Sequence, residues 1–206
     1  MEQTISLLQE IRKNPQKYIS RPRLDRLKNF VQSYEGALSS SEPLFFKNFN
    51  EYLQECYGQN RSIVGLDLLR INSIHEEIAF DRFYEYFDRF LESGYKSKAK
   101  ERLMDSKIWE IPELLQIFRE KPRLCFGYPT VACLKAYLDG YIYCHTERDP
   151  NYEHCMTGFD EFVMKKYGME TLHDWGETIL FFCYSEDEAY NRFFELYDEF
   201  TAQKQK

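Results

Sequence analysis

Glycine is scarce in this chain, with only nine among 206 residues. Loops that hold phosphate through backbone N–H groups need glycines at fixed spacing, and neither G-x-G-x-x-G nor G-x-x-x-x-G-K-[ST] occurs. The sequence also has no H-E-x-x-H zinc motif and no EF-hand loop. These absences argue against the common nucleotide, zinc-protease and calcium sites, and we expect no cofactor.

Long apolar runs are missing as well. No stretch of about eighteen apolar residues occurs, and the first residues do not form a basic and then apolar leader. We therefore expect a soluble cytoplasmic protein without membrane contact. The six cysteines are sparse for a disulfide scaffold, so we expect reduced and mostly buried thiols.

Basic residues are fewer than acidic ones, and the net charge is −7. The acidic excess lies in the second half of the chain, from residue 112 onward. An acidic surface repels phosphate backbones and attracts basic proteins. The charge therefore argues against nucleic acid as a direct partner and favours a basic protein.

The sequence repeats itself. Residues 79–90 (AFDRFYEYFDRF) and 189–200 (AYNRFFELYDEF) lie 110 positions apart and share six of twelve residues. Closer to the start the offset is 107, where Leu7-Leu8-Gln9 matches Leu114-Leu115-Gln116. Two such offsets indicate a duplicated unit with one short insertion between about 38 and 48.

Most segments have helical periodicity. We predict an all-α fold of two tandem copies of a roughly five-helix unit, packed with a pseudo-twofold relation. The units are residues 1–93 and 112–206, joined by a basic connector over 94–111. Residues 62–72 could be helix or strand, and we predict helix because the counterpart, 171–184, has a helical pattern.

Prolines and glycines punctuate these helices. Pro15 and Pro122 end the first helix of each unit, and Pro22 and Pro129 are predicted in a first helical turn. The third helices are predicted over roughly 44–57 and 153–167, each stopped by a Tyr-Gly pair. In the first of them we expect the following residues to face inward: Phe45, Phe46, Phe49, Tyr52, Leu53 and Cys56.

Capping-box spacing marks three helix starts. Ser185 with Glu188, and Ser73 with Glu76, are predicted to cap the last helix of each unit. Thr171 with Asp174 has the same spacing before the tryptophan-containing helix.

Metal and catalytic constellations are weak. Cys144-His145 and His154-Cys155 carry zinc-type ligands, but adjacent pairs do not match known zinc spacings. A nucleophilic pair of Cys183 or Cys155 with His173 is formally available, yet nothing in the sequence positions the two. We expect neither a metal site nor an enzyme.

Two acidic, tyrosine-containing segments are the candidate partner-binding sites. The first has Tyr184, Glu186, Asp187, Glu188 and Tyr190 at the start of the last helix, and the second, over 144–153, has Glu147, Asp149 and Tyr152. Carboxylates at a helix start also complement the helix dipole, which is the structural alternative. The functional interpretation is a docking patch for a basic protein, with tyrosine anchors.

The second unit resembles a family of small bacterial helical proteins, the immunity proteins of polymorphic toxin systems. The resemblance is carried by these residues: Lys121-Pro122, Leu134, Tyr137 to Tyr141, Phe159 to Phe162, Tyr167-Gly168, Trp175 and Glu188 to Phe200. The first unit departs from it, with Ser33 where the second has Gly140. The resemblance implies a helical fold and a cytoplasmic role in binding a cognate toxin.

We therefore expect a binding protein that neutralises a basic toxin by direct capping, with the second unit binding and the first supporting it. One alternative is a helical scaffold or self-associating protein, including a homodimer. The other is a Cys/His-dependent enzyme or metalloprotein.

Overall fold

The structure, a computed structural model, describes residues 1–38, 44–59, 64–96, 109–170 and 174–204. Within these ranges every regular element is an α-helix, which confirms the all-α prediction. The first half contains α1 (Glu2–Lys13), α2 (Pro15–Ile19), α3 (Leu24–Ala37), α4 (Phe45–Cys56), α5 (Gly65–Ile71) and α6 (Glu76–Ser93). The second half contains α7 (Ile111–Glu120), α8 (Pro122–Phe126), α9 (Val131–Arg148), α10 (Phe159–Tyr167), α11 (Trp175–Phe181) and α12 (Glu186–Lys204).

Each half has six described helices rather than five, because a short helix follows the first proline break. Pro15 and Pro122 end the preceding helix as predicted, and each is also the first residue of the next one. A first helical residue needs no N–H donor and has a φ that proline already holds. The prediction for Pro22 and Pro129 was wrong, since both lie two residues before the first residue of α3 and α9.

The helices predicted over 44–57 and 153–167 are α4 and α10, and they differ in length. α4 occupies nearly the predicted range, and Gly58 after it adopts a positive φ of 60°. α10 begins only at Phe159, because residues 155–158 form turns and Gly158 also has a positive φ. On α4 one inward prediction fails, because Cys56 is exposed in the last turn. Tyr52 is only partly buried but packs against the core residues Phe49 and Phe90.

The cap of the last helix is confirmed in the second half only. Ser185 Oγ accepts a hydrogen bond from Glu188 N at 3.1 Å, and the Glu188 carboxylate accepts one from Tyr184 N at 2.8 Å. In the first half the residue before α6 is His75, so Ser73 lies too early to cap it. Thr171 lies outside the described residues, and Asp174 caps α11 by accepting from Glu177 N at 2.8 Å.

The aromatic cores of the two halves contain matching contacts. Phe49 packs on Phe83 with ring centroids 5.1 Å apart, and the residues 110 positions later, Phe159 and Phe193, are 5.6 Å apart. An ion pair ties the first helix to the last in the same way, as Arg12–Asp88 at 2.8 Å and as Arg119–Asp198 at 2.6 Å.

The two halves meet mainly where α3 packs against α9. Their contacts advance in the same direction along both helices, from Arg26 beside Ala136 to Arg148 Nη1, which donates to Ala37 O at 3.1 Å. The two helices are therefore parallel, and their N-termini lie at one end of the molecule. Midway, a methyl group on Gly140 would overlap the carbonyl of Phe30, so the close approach requires glycine.

None of the described helices is both long and apolar enough to cross a membrane.

Candidate protein-docking surface

The turn between α11 and α12, residues 182–185, presents aromatic side chains to solvent. Phe181 at the end of α11 is 77% exposed, and Tyr184 is fully exposed. Large apolar groups at such exposure are uncommon unless they contact something. The turn is short because the Ser185 cap starts α12 immediately after Tyr184.

Contacts between aromatic rings hold Phe181 and Phe182 in place. Phe181 packs edge-on against Phe182 at 5.1 Å, and Phe182 stacks on Tyr167 with centroids 4.4 Å apart and planes 5° from parallel. Arg192 Nε donates to the Tyr167 hydroxyl at 3.2 Å, and its guanidinium also pairs with Glu195 at 2.6 Å. Pre-ordered aromatic side chains lose little entropy on binding, which suits a docking surface.

Residues of the first half of the chain bind the start of α11. Glu177 pairs with the buried Arg26 at 2.7 Å and with Arg21 at 2.8 Å. Ser20 Oγ donates to the Asp174 carboxylate at 2.8 Å. The N-terminal turn of α11 is therefore bonded to α3 and to the segment before α3. The helix that leads into the α11–α12 turn thus contacts both halves of the chain.

The three consecutive carboxylates differ in role. Asp187 is exposed, and Glu188 is engaged by the backbone of Tyr184. Glu186 is half-buried beside the start of α9. Its burial raises the pKa of the carboxyl, while Arg26 and the backbone of Val131 oppose the shift. Asp187 and Glu188 therefore lie at the surface, whereas Glu186 lies between α12 and the start of α9.

Tyr190 lies in the core rather than on the surface. Only 5% of it is exposed, and its hydroxyl donates to Phe118 O at 3.0 Å. Burial raises the pKa of this phenol. The sequence predicts Tyr190 as an anchor because the amphipathic pattern alone does not show which tyrosine of the last helix points inward. Tyr190 is therefore not part of the candidate surface.

The second predicted segment, 144–153, lies far from the first. It covers the end of α9, whereas Glu186 contacts the beginning, and eighteen residues of helix span about 27 Å. Glu147 accepts a hydrogen bond from the Tyr34 hydroxyl at 2.9 Å, and Asp149 is exposed. Tyr152 stacks on His145 at 4.7 Å. The structure therefore does not bring the two predicted segments into one site.

The described residues contain no group of three or more His, Cys, Asp or Glu placed to hold a metal ion. His145 and His154 lie on the two faces of the Tyr152 ring, which separates them. His173, invoked in the alternative catalytic pair, falls outside the described residues. Burial raises the pKa of both Cys155 and Cys183, which disfavours the nucleophilic thiolate.

Sequence reasoning missed Phe181 and Phe182. Both lie within 171–184, which the sequence predicts as helix, and that prediction does not state which of its residues face solvent. The signal available was the Ser185 cap: apolar residues between the end of one helix and the cap of the next lie in a turn and not on a packed stripe.

No protein-family model, no curated protein and no solved structure matches this chain.

Proposed function

We propose that this chain is a cytoplasmic binding protein that neutralises a basic protein toxin by covering it, as an immunity protein does in bacteria. The observation that supports this most directly is the surface formed by Phe181, Phe182, Tyr184, Asp187 and Glu188. It combines carboxylates with exposed aromatic side chains, of which Phe181 and Phe182 are held by ring contacts. Aromatic anchors supply affinity, and charge complementarity selects the partner and speeds association.

The proposal includes the architecture. The chain consists of two copies of one helical unit, residues 1–93 and 112–206, related by a pseudo-twofold axis that passes between α3 and α9. The matching aromatic contacts support this, as does the parallel pairing of two helices that occupy equivalent positions in sequence. Residues 97–108 of the basic connector lie outside the described ranges.

The test uses a basic toxin domain encoded beside this gene, purified and titrated against the full chain by calorimetry. We expect tight one-to-one binding that weakens as salt rises, because salt screens exposed charges. Tyr184→Ala should weaken binding by at least tenfold without changing stability, since the side chain is fully exposed.

A matched pair of charge reversals localises the site. Asp187→Lys should weaken binding, whereas Asp149→Lys, the same change at the other end of α9, should not. Equal effects of the two variants, or none, would reject this surface. Sedimentation of the free chain tests the alternative that the protein associates with itself. A dimer that Tyr184→Ala dissociates would indicate self-association through this surface.

A further inference from the structure

The turn between α5 and α6, residues 72–75, exposes apolar side chains at the same positions as the α11–α12 turn. Ile71 is 70% exposed and Ile74 is 84% exposed. Adding 110 to these numbers gives Phe181 and Tyr184. Isoleucine is among the residue types most often buried, so two exposed isoleucines three positions apart are an unusual surface.

Both turns lie at the same end of the molecule. Glu76, just after the first turn, accepts a hydrogen bond from Asp25 N at the start of α3, at 3.0 Å. Glu186, just after the second turn, lies beside Val131 at the start of α9. Because α3 and α9 are parallel and in contact, the two turns flank the same pair of helix N-termini.

The start of α3 contacts the helices on both sides of this end. Asp25 N donates to Glu76 of α6 at 3.0 Å, and Arg26 pairs with Glu177 of α11 at 2.7 Å. A groove of about 500 Å³ runs along the first turn between Ile71 and Ile74 on one side and Arg23 and Glu77 on the other. The groove and the α11–α12 turn therefore adjoin the same pair of helix N-termini.

Charge at this end favours a basic occupant. Two arginines at this end are paired with carboxylates: Arg23 with Asp25 at 3.0 Å and with Glu77 at 3.3 Å, and Arg70 with Glu76 at 2.6 Å. A third, Arg82, donates to the backbone carbonyl of Asn72 in the first turn. Carboxylates outnumber cations around the two turns, and Asp187 is exposed. A second copy of this chain, with a net charge of −7, would meet repulsion here, whereas a basic protein would not.

We infer that the two turns form one docking surface, and that a single basic protein binds across Ile71 and Ile74 of the first half together with Phe181 and Tyr184 of the second. The inference rests on the proposed function and changes the role of the first half. The first half does not only support the binding unit but contributes its own apolar anchors to the same partner.

Photo-cross-linking in the source cells tests this. Full-length chain carries benzoylphenylalanine in place of Ile74, of Tyr184, or of Leu91 as the control; the probe is the cell's own protein complement. Leu91 is exposed but lies near the other end of α6, about 24 Å along the helix from Ile74. We expect positions 74 and 184 to cross-link to the same basic protein, and position 91 not to.

The cross-linked protein is then purified and titrated. The double variant Ile71→Asp with Ile74→Asp should weaken its binding by at least tenfold while leaving the α11–α12 turn intact. Circular dichroism and melting of this variant establish that it is folded, which exposed positions should permit.

The outcomes separate the two proposals. A cross-link from 184 alone, or full affinity in the isoleucine double variant, overturns the shared surface and leaves the proposed function standing. No cross-link from either position overturns both. A cross-link to a second copy of the chain, or to an acidic protein, overturns the inference in favour of self-association or of a different partner chemistry.

Discussion

The first and second halves of the chain have similar aromatic contacts but place their polar groups differently. The first half buries a carboxylate, Glu35, under the start of α4. The second half has no carboxylate at the equivalent place, where Ile142 stands, but holds two histidines in a ring stack at the end of α9. Contacts common to both halves therefore maintain the fold. The polar groups that differ, such as Glu35 and the two histidines, stabilise features that only one half has.

The start of α4 depends on Glu35. Its carboxylate accepts hydrogen bonds from Phe45 N at 2.6 Å, Phe46 N at 3.2 Å and the Thr4 hydroxyl at 3.1 Å. The start of α10 has no side-chain cap and is preceded instead by Gly158 in a left-handed conformation. α4 therefore begins at a buried carboxylate, whereas α10 begins after a glycine turn.

Removal of this acid should have the largest effect on stability. Glu35→Ala leaves three donors without an acceptor and opens a cavity, so we expect a loss of about 3–4 kcal/mol in the free energy of unfolding. Urea denaturation measures it. Glu147→Ala is the control, because that carboxylate also accepts a side-chain hydrogen bond but is exposed, and its loss should stay below about 1 kcal/mol. Equal losses in the two variants would refute the role given to Glu35.

The contact between α3 and α9 gives the next comparison. Gly140 faces Phe30 and Ser33, so Gly140→Ala forces the helices apart and should cost about 2–3 kcal/mol. Gly36, in α3, has no atom near the place of a Cβ, and Gly36→Ala should instead stabilise the protein by about 0.5–1 kcal/mol through helix propensity. Opposite signs in thermal melts are expected. A neutral Gly140→Ala would mean that the two helices do not approach this closely.

Two buried tyrosines make the same kind of hydrogen bond in the two halves, although the repeat does not align them: Phe194 stands 110 positions after Tyr84. Tyr84 donates to Leu8 O at 2.9 Å and Tyr190 to Phe118 O at 3.0 Å, so each joins the last helix of its half to the first. Replacing either by phenylalanine removes one buried hydrogen bond and should cost about 1 kcal/mol. Denaturant titration of both variants checks this, and a difference of more than about 1 kcal/mol would show that the two bonds are not equivalent.

Helix positions could be predicted from the sequence because they depend on local signals. The apolar stripe and the Ser185 cap place α12, and the Tyr-Gly stops place the ends of α4 and α10. The false cap at Ser73 shows the limit: serine followed by glutamate three residues later is also compatible with a turn, and only the observed start of α6 after His75 decides.

The candidate site was harder to predict because exposure is a tertiary property. Tyr184 and Tyr190 are both tyrosines beside acidic residues, yet one is fully exposed and the other is in the core. No pattern in sequence indicates that Ile71 and Phe181 extend past the last turn of a short helix into solvent. Nor does it show that 144–153 and the α11–α12 turn are separated by the length of α9.

The histidine stack gives the smallest expected effect and is specific to the second half. Tyr141, His145, Tyr152 and His154 form successive ring pairs with centroids 4.6, 4.7 and 5.8 Å apart. The buried Nε2 of His145 and Nδ1 of His154 have no hydrogen-bond partner among the described residues. Burial lowers the pKa of both imidazoles; Arg148 lowers that of His145 further and Lys204 that of His154, while Glu110 partly opposes the shift at His145.

A lowered pKa in the folded protein fixes the sign of the pH dependence. Below the ordinary histidine pKa of about 6.5, the unfolded chain takes up protons at these rings before the folded protein does, so stability falls as pH falls from there to the lowered folded pKa. His145→Phe with His154→Phe removes these titrations and should flatten the dependence of unfolding free energy on pH between about 6.5 and 5. The first half has an exposed histidine, His75, and His75→Gln serves as the control. If the unfolding free energy of the double variant falls with pH as steeply as that of the unmodified chain, the acid sensitivity comes from other residues. If this fall disappears, the histidine stack is the acid-labile contact that distinguishes the second half from the first.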